Sequence, residues 1–198
     1  MTDKLILASA SPRRKELLGL IGLNDFEIIP ADSEADFPSQ LPIEQAVEYI
    51  ALKKAEAVSE KAGKAAENAI ILAADTLVWL EGRVLGKPAD EAEAAQMLKA
   101  LSGKKHTVYT GMALIKGKTV IKSHAVTDVW FREMTDREID TYVKTGEPLD
   151  KAVAYGAQGL ASMFISRIDG EYYNVVGLPL CTLGTMFKSL GSPVIDEI

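Results

Sequence analysis

The sequence is poor in the residues that staple, anchor or flag a protein. It holds one cysteine in 198 residues, Cys181, which cannot form an internal disulfide and so excludes a scaffold held by bridges. Long apolar runs are missing too. The least polar stretch, 174–187, is broken by Gly177, Pro179 and Gly184 and falls short of the roughly 20 apolar residues that span a bilayer. Met1 leads straight into the short run 5–8 with no basic stretch and long apolar segment, so no leader or membrane anchor is expected, and the cytoplasm is the expected compartment. Positive charge is in deficit. With 22 Lys and Arg against 28 Asp and Glu, the net charge of -6 excludes broad neutralisation of a nucleic-acid polymer, although single small anions remain open. There is also no Walker A loop, no G-x-G-x-x-G, no H-E-x-x-H and no C-x-x-C, so standard NTPase, Rossmann and zinc readings lose their anchor.

What is present is the material of a folded α/β protein. At 21.4 kDa the chain is expected to hide about 70% of its unfolded surface, and 47% hydrophobic residues supply a core. The apolar run 5–9 stops at Ser-Ala-Ser-Pro, after which Leu17, Leu18 and Ile21 recur at helical spacing up to Gly22. A strand is read at 26–29, a polar loop at 30–42 and a long helix at 43–66, with Ala46, Ile50 and Lys54 on one face. The run 70–74 reads as a strand ending at Asp75, and 77–80 with 84–85 as a hairpin around Glu81-Gly82. Asp90 with Glu93 is a capping pattern for a helix that ends at Ser102-Gly103. Segments 107–115 and 119–132 suggest a long antiparallel pair, 136–143 a helix, 172–176 a strand and 180–190 a closing helix. No repeat or linker splits the chain, so 1–198 is read as one α/β domain, with room for two lobes.

Three places carry chemical signals. Ser11 is a good N-cap and Pro12 a good first helical residue, which sets Arg13 and Arg14 in the first turn, where the helix dipole is already positive. Each arginine costs about 0.3–1 kcal/mol there unless an anion is bound; the alternative is two solvated arginines with Glu16 nearby. Asp75, after an apolar strand, suits a divalent cation or a general base, or else caps a turn before Thr76. Lys87, fixed between Gly86 and Pro88 ahead of a helix, can reach a phosphate or simply be solvated. Other candidates are weaker. His106 and His124 lack metal-type partners at usable spacing and read as structural or surface imidazoles, and Cys181 reads as a buried small hydrophobe. Asp32, Glu34 and Asp36 are solvated carboxylates, or one of them is a metal ligand. Lys54, on an alanine-rich face, is surface charge or points into a site.

Taken together, these residues resemble the Maf family of nucleoside triphosphate pyrophosphatases. The matching segments are Leu7-Ala8-Ser9-Ala10-Ser11-Pro12-Arg13-Arg14, Ala74-Asp75-Thr76 and Leu85-Gly86-Lys87-Pro88, followed by Leu101-Ser102-Gly103 with His106 and Thr110-Gly111. They continue with Glu147-Pro148-Leu149-Asp150-Lys151-Ala152, Tyr155-Gly156 and Val176-Gly177-Leu178-Pro179-Leu180. The resemblance covers nearly the whole chain. It implies an α/β fold like that of the inosine triphosphate pyrophosphatases, a mixed twisted sheet flanked by helices, with a central cleft between two lobes. It further implies hydrolysis of a nucleoside triphosphate to the monophosphate and pyrophosphate, with Mg²⁺ or Mn²⁺ as cofactor, no polymer or membrane partner, and a homodimer as an open option.

Residue by residue, the resemblance makes Asp75 the proton acceptor, Arg14, Lys54 and Lys87 phosphate-side residues, and Glu34 a metal ligand beside Asp75. The set Arg13, Thr76 and Gln158 looks like the branch acting on dTTP, UTP and modified pyrimidine triphosphates; the branch acting on 7-methyl-GTP usually differs at all three places. Two residues depart from the family pattern, Val153 in place of glycine and Ala157 in place of isoleucine. If the glycine serves a positive backbone dihedral, Val153 is expected to disturb it, because β-branched residues resist that conformation. A non-catalytic nucleotide-binding regulator of cell division is the alternative to the enzyme, and a partner-binding division factor a third reading.

Overall fold

The computed structural model describes residues 3–32, 37–192 and 194. Strand β1 (Lys4–Leu7) pairs in parallel with β2 (Phe26–Ile28) on one side and with β3 (Ala69–Leu80) on the other. Leu5, Ile6 and Leu7 are all buried, the continuous apolar pattern of a parallel strand covered on both faces. Helix α1 (Pro12–Leu20) connects β1 to β2, and α2 (Ile43–Ala62) leads into β3. The hydrogen-bonded order is β2-β1-β3, then β5 (Lys105–Lys116), β6 (Thr119–Phe131) and β7 (Ile165–Asp169), with β4 (Arg83–Leu85) also on β3. This is a mixed seven-stranded sheet. Neighbours β5 and β6 are joined through residues 117–118 alone, a link short enough only for antiparallel strands.

Two expected boundaries move. The strand at 70–74 does not stop at Asp75. Once β1 ends, β4 takes up β3 in antiparallel register, Val78 against Leu85 and Leu80 against Arg83, so Asp75 sits inside a twelve-residue strand and not in a turn. Glu81 and Gly82 close that hairpin with φ of 48° and 90°, the double positive φ of a type I′ turn. The helix expected over 43–66 ends at Ala62, where Gly63 takes φ 54° and a 3₁₀ turn (Gly63–Asn68) follows.

The segment 172–176 is a correction of type. Its tyrosines and valines favour a strand, yet Tyr172–Val176 forms a short helix, α5. Burial of Asn174 explains the outcome, since its side-chain amide donates to the Val108 carbonyl (3.0 Å) and to Thr127 Oγ1 (2.9 Å). Strand β7 carried no signal of its own and is organised by β6, with the Arg167 guanidinium 4.6 Å from the centre of the Trp130 ring. Cys181, expected to be buried, is exposed at the start of α6 (Leu180–Ser189).

The chain forms two compact units. The first draws on Met1–Asp75, Thr110–Ala125 and Gly177–Ile198, and its core includes Ile6, Ala51, Ala55, Val58, Ile71 and Ala113. Gly111 permits α2 to lie on β5, because a Cβ there would stand 2.2 Å from the Val47 carbonyl carbon. The second unit draws on Thr76–Tyr109 and Val126–Val176. In it α3 (Glu91–Leu101) and α4 (Asp136–Val143) begin at working caps: Asp90 accepts from the Glu93 amide (2.8 Å), as its spacing predicts, and Thr135 forms a reciprocal capping box with Glu138.

The core of the second unit holds two strained features. Val153 adopts φ 67° and ψ 35°, with Ala154 following at φ 59°, and both are fully buried. Val153 thus does not exclude the left-handed conformation that the family glycine would allow. Strain of about 1–2 kcal/mol is offset by burial of its isopropyl group, worth about 2–3 kcal/mol. The second feature is His106, 1% exposed, with its Nε2 2.7 Å from the Tyr155 hydroxyl and its ring edge-to-face with Phe131. Burial lowers its pKa to about 4, against a weaker raising influence of Asp128, and burial likewise raises that of the Tyr155 phenol.

Val153→Gly is expected to lower stability by about 1–2 kcal/mol in urea unfolding, since lost packing and added chain entropy outweigh relieved strain; a gain in stability would show that strain dominates. His106 gives a pH effect with a definite sign. Its folded pKa of about 4 lies below the ordinary 6.5, so the unfolded chain binds the extra proton first as pH falls. Stability present above pH 6.5 should fall by about 2 kcal/mol between pH 7.5 and pH 5 in the wild-type chain. A His106→Gln variant measured alongside should lack that component; equal slopes would exclude a buried neutral imidazole.

Candidate functional site

In the first unit, the end of β1 and the middle of β3 bring three expected residues together. Leu7 pairs with Leu72 and the Ala8 amide still donates to the Leu72 carbonyl (2.8 Å), after which β1 turns away and β3 runs on to Asp75. Asp75 therefore lies just past the carboxyl end of the parallel part of the sheet, the place where open α/β sheets hold ligands. Lys54 reaches it from α2. This lysine occupies the row of buried Ile50 and Val58 at four-residue spacing, so its stem lies on the core-facing stripe and its ammonium is delivered at the stripe's edge. Its Nζ is 2.6 Å from Asp75 Oδ1, with side chains only 14% and 16% exposed, well outside the class of fully solvated surface pairs.

Arg14 is the third member. Ser11 occupies the N-cap of α1 with Pro12 in the first turn, as the sequence predicts, but the Ser11 side chain makes no capping bond and the first turn contains no acid. The half-buried Arg14 side chain donates from Nε to the Gly177 carbonyl (2.9 Å) and from Nη1 to Ser9 Oγ (3.0 Å). Ser9 Oγ also accepts from the Ser11 amide at 3.3 Å. Burial lowers the Arg14 pKa; the Asp75 carboxylate opposes this and the Arg13 charge adds to it. An arginine remains protonated near neutrality regardless, so two cations and one carboxylate stand at the helix start. Gly177, at φ 116°, uses a backbone conformation open to glycine to turn its carbonyl toward Arg14.

Of the other expected residues, Arg13 lies in the first turn of α1 in the first unit, Thr76, Lys87 and Gln158 lie in the second unit, and Glu34 is outside the described residues. Thr76 follows Asp75 on β3 and is half-buried, while Lys87 and Gln158 are exposed. The turn carrying Lys87 is tied to the segment leading to Gln158, because the Val153 amide donates to the Gly86 carbonyl at 3.0 Å. A pocket of about 280 Å³ lies beside this turn, between β4 and the first half of α3. It is lined by Arg83, Gly86, Glu93, Gln96 and Met97 among others, and by none of the expected site residues.

Ser9, Gly177 and Glu147 organise these residues without having been singled out as site residues. Ser9 was legible as the polar residue closing β1. The Gly177 carbonyl was not, because its role depends on a chain separation of 163 residues. His124 pairs with Glu48 at 2.7 Å, and His106 is buried against Tyr155. Among the described residues, no group of three or more His, Cys, Asp or Glu could hold a metal ion, and no helix is long and apolar enough to cross a membrane.

Comparison with known proteins finds relatives along nearly the whole chain. A dTTP/UTP pyrophosphatase of Bacillus cereus is 49% identical over 191 residues, 96% of this chain and 97% of that one. One of Symbiobacterium thermophilum is 48% identical over 97% of this chain and 96% of its own. Among solved structures, a HAM1 protein from Coxiella burnetii matches at 19% identity and TM-score 0.43, covering 66% of this chain and 73% of that one. Residues 4–190 match the family model described as Maf-like protein, and the chain belongs to that family.

Proposed function

We propose that this chain is a nucleoside triphosphate pyrophosphatase that hydrolyses dTTP, UTP and modified pyrimidine triphosphates to the monophosphate and pyrophosphate. The observation that carries the reading is the Lys54–Asp75 pair at 2.6 Å beside Arg14, at the end of the parallel strands. Relatives named dTTP/UTP pyrophosphatase at 44–49% identity over almost the full chain support the substrate class.

In the proposed mechanism, a water attacks the α-phosphorus and its oxygen forms the new P–O bond as the bond to the leaving pyrophosphate breaks. Asp75 accepts the proton from that water. Lys54 fixes the orientation of the carboxylate and adds positive charge at the reacting phosphate, while Arg13, Arg14 and Lys87 neutralise charge on the leaving group. Such groups act best when their positions are set beforehand, and Arg14 is held by two hydrogen bonds of 2.9 and 3.0 Å. Thr76 and Gln158 read the base edge; a wrong base leaves polar groups unpaired, which discriminates more strongly than shape alone.

The donor set suits Mg²⁺ or Mn²⁺. Mg²⁺ is typically held by one or two carboxylates with the remaining positions filled by phosphate oxygens and water, and the Asp75 carboxylate is a hard oxygen donor of that kind. Asp75 would hold the ion together with Glu34. When bound, it supplies neutralisation of phosphate oxygens and acidification of water.

Incubation with dTTP, UTP or 7-methyl-GTP plus Mg²⁺ tests the reading by product analysis. Monophosphate and pyrophosphate in equal amounts are expected, with dTTP and UTP preferred, and Asp75→Asn should lower kcat by about 10²–10⁴-fold. Orthophosphate release, full activity of Asp75→Asn, or nucleotide-induced stabilisation without turnover would overturn it; the last result is that of a binding regulator.

A further inference from the structure

Gln158 is exposed, yet the short segment that carries it is held from beneath by a side chain with no part in the proposed chemistry. Residues 156–159 form a β-turn closed by the Gly159 amide donating to the Gly156 carbonyl at 3.1 Å. Ala157 faces inward at 7% exposure, and Gln158 occupies the outward central position. The carboxylate of Glu147 lies directly against this turn. Its Oε2 accepts from the Leu160 amide (3.1 Å), the first residue past the turn, and its Oε1 accepts from the Tyr142 hydroxyl (3.0 Å) of α4.

Gly159 explains how the carboxylate comes so close. A methyl group on Gly159 would stand 2.1 Å from Glu147 Oε1, and one on Gly156 would stand 3.5 Å from it. At Gly159 the space that a side chain would take is occupied by Glu147 instead, whereas at Gly156 the nearer neighbour is Lys151 Cε, 3.0 Å from such a methyl. On the other side of the turn, Tyr155 is anchored through its hydroxyl to buried His106 at 2.7 Å. The turn is thus fixed at the residue before it and the residue after it, and the second anchor is an ionisable side chain brought from a separate 3₁₀ turn (Glu147–Asp150). A solvent-exposed β-turn needs no such support to exist, since its own backbone bond closes it. Support on this scale restricts where its outward residue points.

We propose that Glu147 is a positioning residue for base selection, holding the Gly156–Gly159 turn so that the Gln158 amide is presented in one orientation. This rests on the reading of Gln158 as a base-contacting residue. UTP and CTP are the appropriate pair of probes, because they share sugar, phosphates and ring size and differ in the hydrogen-bonding edge. Glu147→Ala should lower the ratio of kcat/KM for UTP over CTP by about tenfold, mainly through a higher KM for UTP, with kcat for UTP within about threefold. Glu147→Gln should keep the ratio within about threefold, because one amide can accept from Leu160 and donate to the Tyr142 oxygen.

Gly159→Ala is the second route. Its φ of -99° is open to alanine, so the added methyl evicts the Glu147 carboxylate without straining the turn, and the variant should behave like Glu147→Ala. Gln158→Ala separates the two proposals. If it leaves the ratio unchanged, the base-contact reading falls and this inference falls with it. If it lowers the ratio while Glu147→Ala and Gly159→Ala do not, only the positioning role is overturned. Equal loss on both nucleotides with the ratio intact would mark Glu147 as structural only and overturn the proposal as well. A double variant Glu147→Ala/Gln158→Ala should be no less selective than Gln158→Ala alone, since a residue acting through Gln158 has nothing left to position. Where Glu147→Ala fails to fold, Gly159→Ala and Glu147→Gln decide the matter.

Discussion

The parallel pairing of β1 with β3, and the point at which it stops, is the constraint on which the first unit's chemistry depends. Beyond Leu7 opposite Leu72, β3 continues without β1 at its side, and Asp75 arrives three residues later. The strand that carries the carboxylate keeps β5 at its side, while the departing chain sets Ser9 just past the end of β1 and Arg13 and Arg14 in the first turn of α1. Lys54 then meets Asp75 from a helix whose approach over β5 is permitted by the missing side chain at Gly111. A carboxylate and the two cations nearest it are therefore fixed by ordinary packing of strands and helices. That geometry favours a group that must act the instant charge develops, with no reorganisation required.

The second unit solves a different problem, that of holding a chain segment with little regular structure. From residue 147 to residue 164 the described structure consists of short 3₁₀ turns and the Gly156–Gly159 β-turn, and such turns supply few bonds of their own. The segment is secured instead by separate anchors: the Val153 amide to Gly86, Tyr155 to His106, and Leu160 to Glu147. Val153 shows how the terms compete. A β-branched residue is a poor occupant of the left-handed region, yet complete burial compensates for the dihedral cost, so Val153 holds a conformation that glycine adopts more readily.

Much of this was legible in the residues. The Ser-Pro-Arg-Arg start of α1, the Asp90 cap, the Glu81-Gly82 hairpin and the β5–β6 pair follow from local rules, since cap spacing, turn residues and alternation act over a few residues. Where the fold departs from local rules, the deciding partner is distant. Tyr172–Val176 is helical because Asn174 must reach Val108 and Thr127, and β7 exists because β6 offers an edge. Asp75 looked like the end of a strand because the apolar run ends there, whereas hydrogen bonding to β4 carries the strand on to Leu80.

The same division separates the identities of the site residues from their arrangement. The order of linked motifs, by itself, determined the family, the reaction class it implies and the residue types involved: an acid, several cations and a hydrogen-bonding pair. A net charge of -6 argued against broad neutralisation of a nucleic-acid polymer and left single small anions open. Only the tertiary structure decided that Lys54 closes on Asp75, that Arg14 is held by Ser9 and the Gly177 carbonyl, and that Glu147 lies beneath the Gln158 turn. Each of these contacts joins residues that the chain separates, apart from Ser9 and Arg14, and its geometry depends on helix packing and strand register that local sequence does not encode.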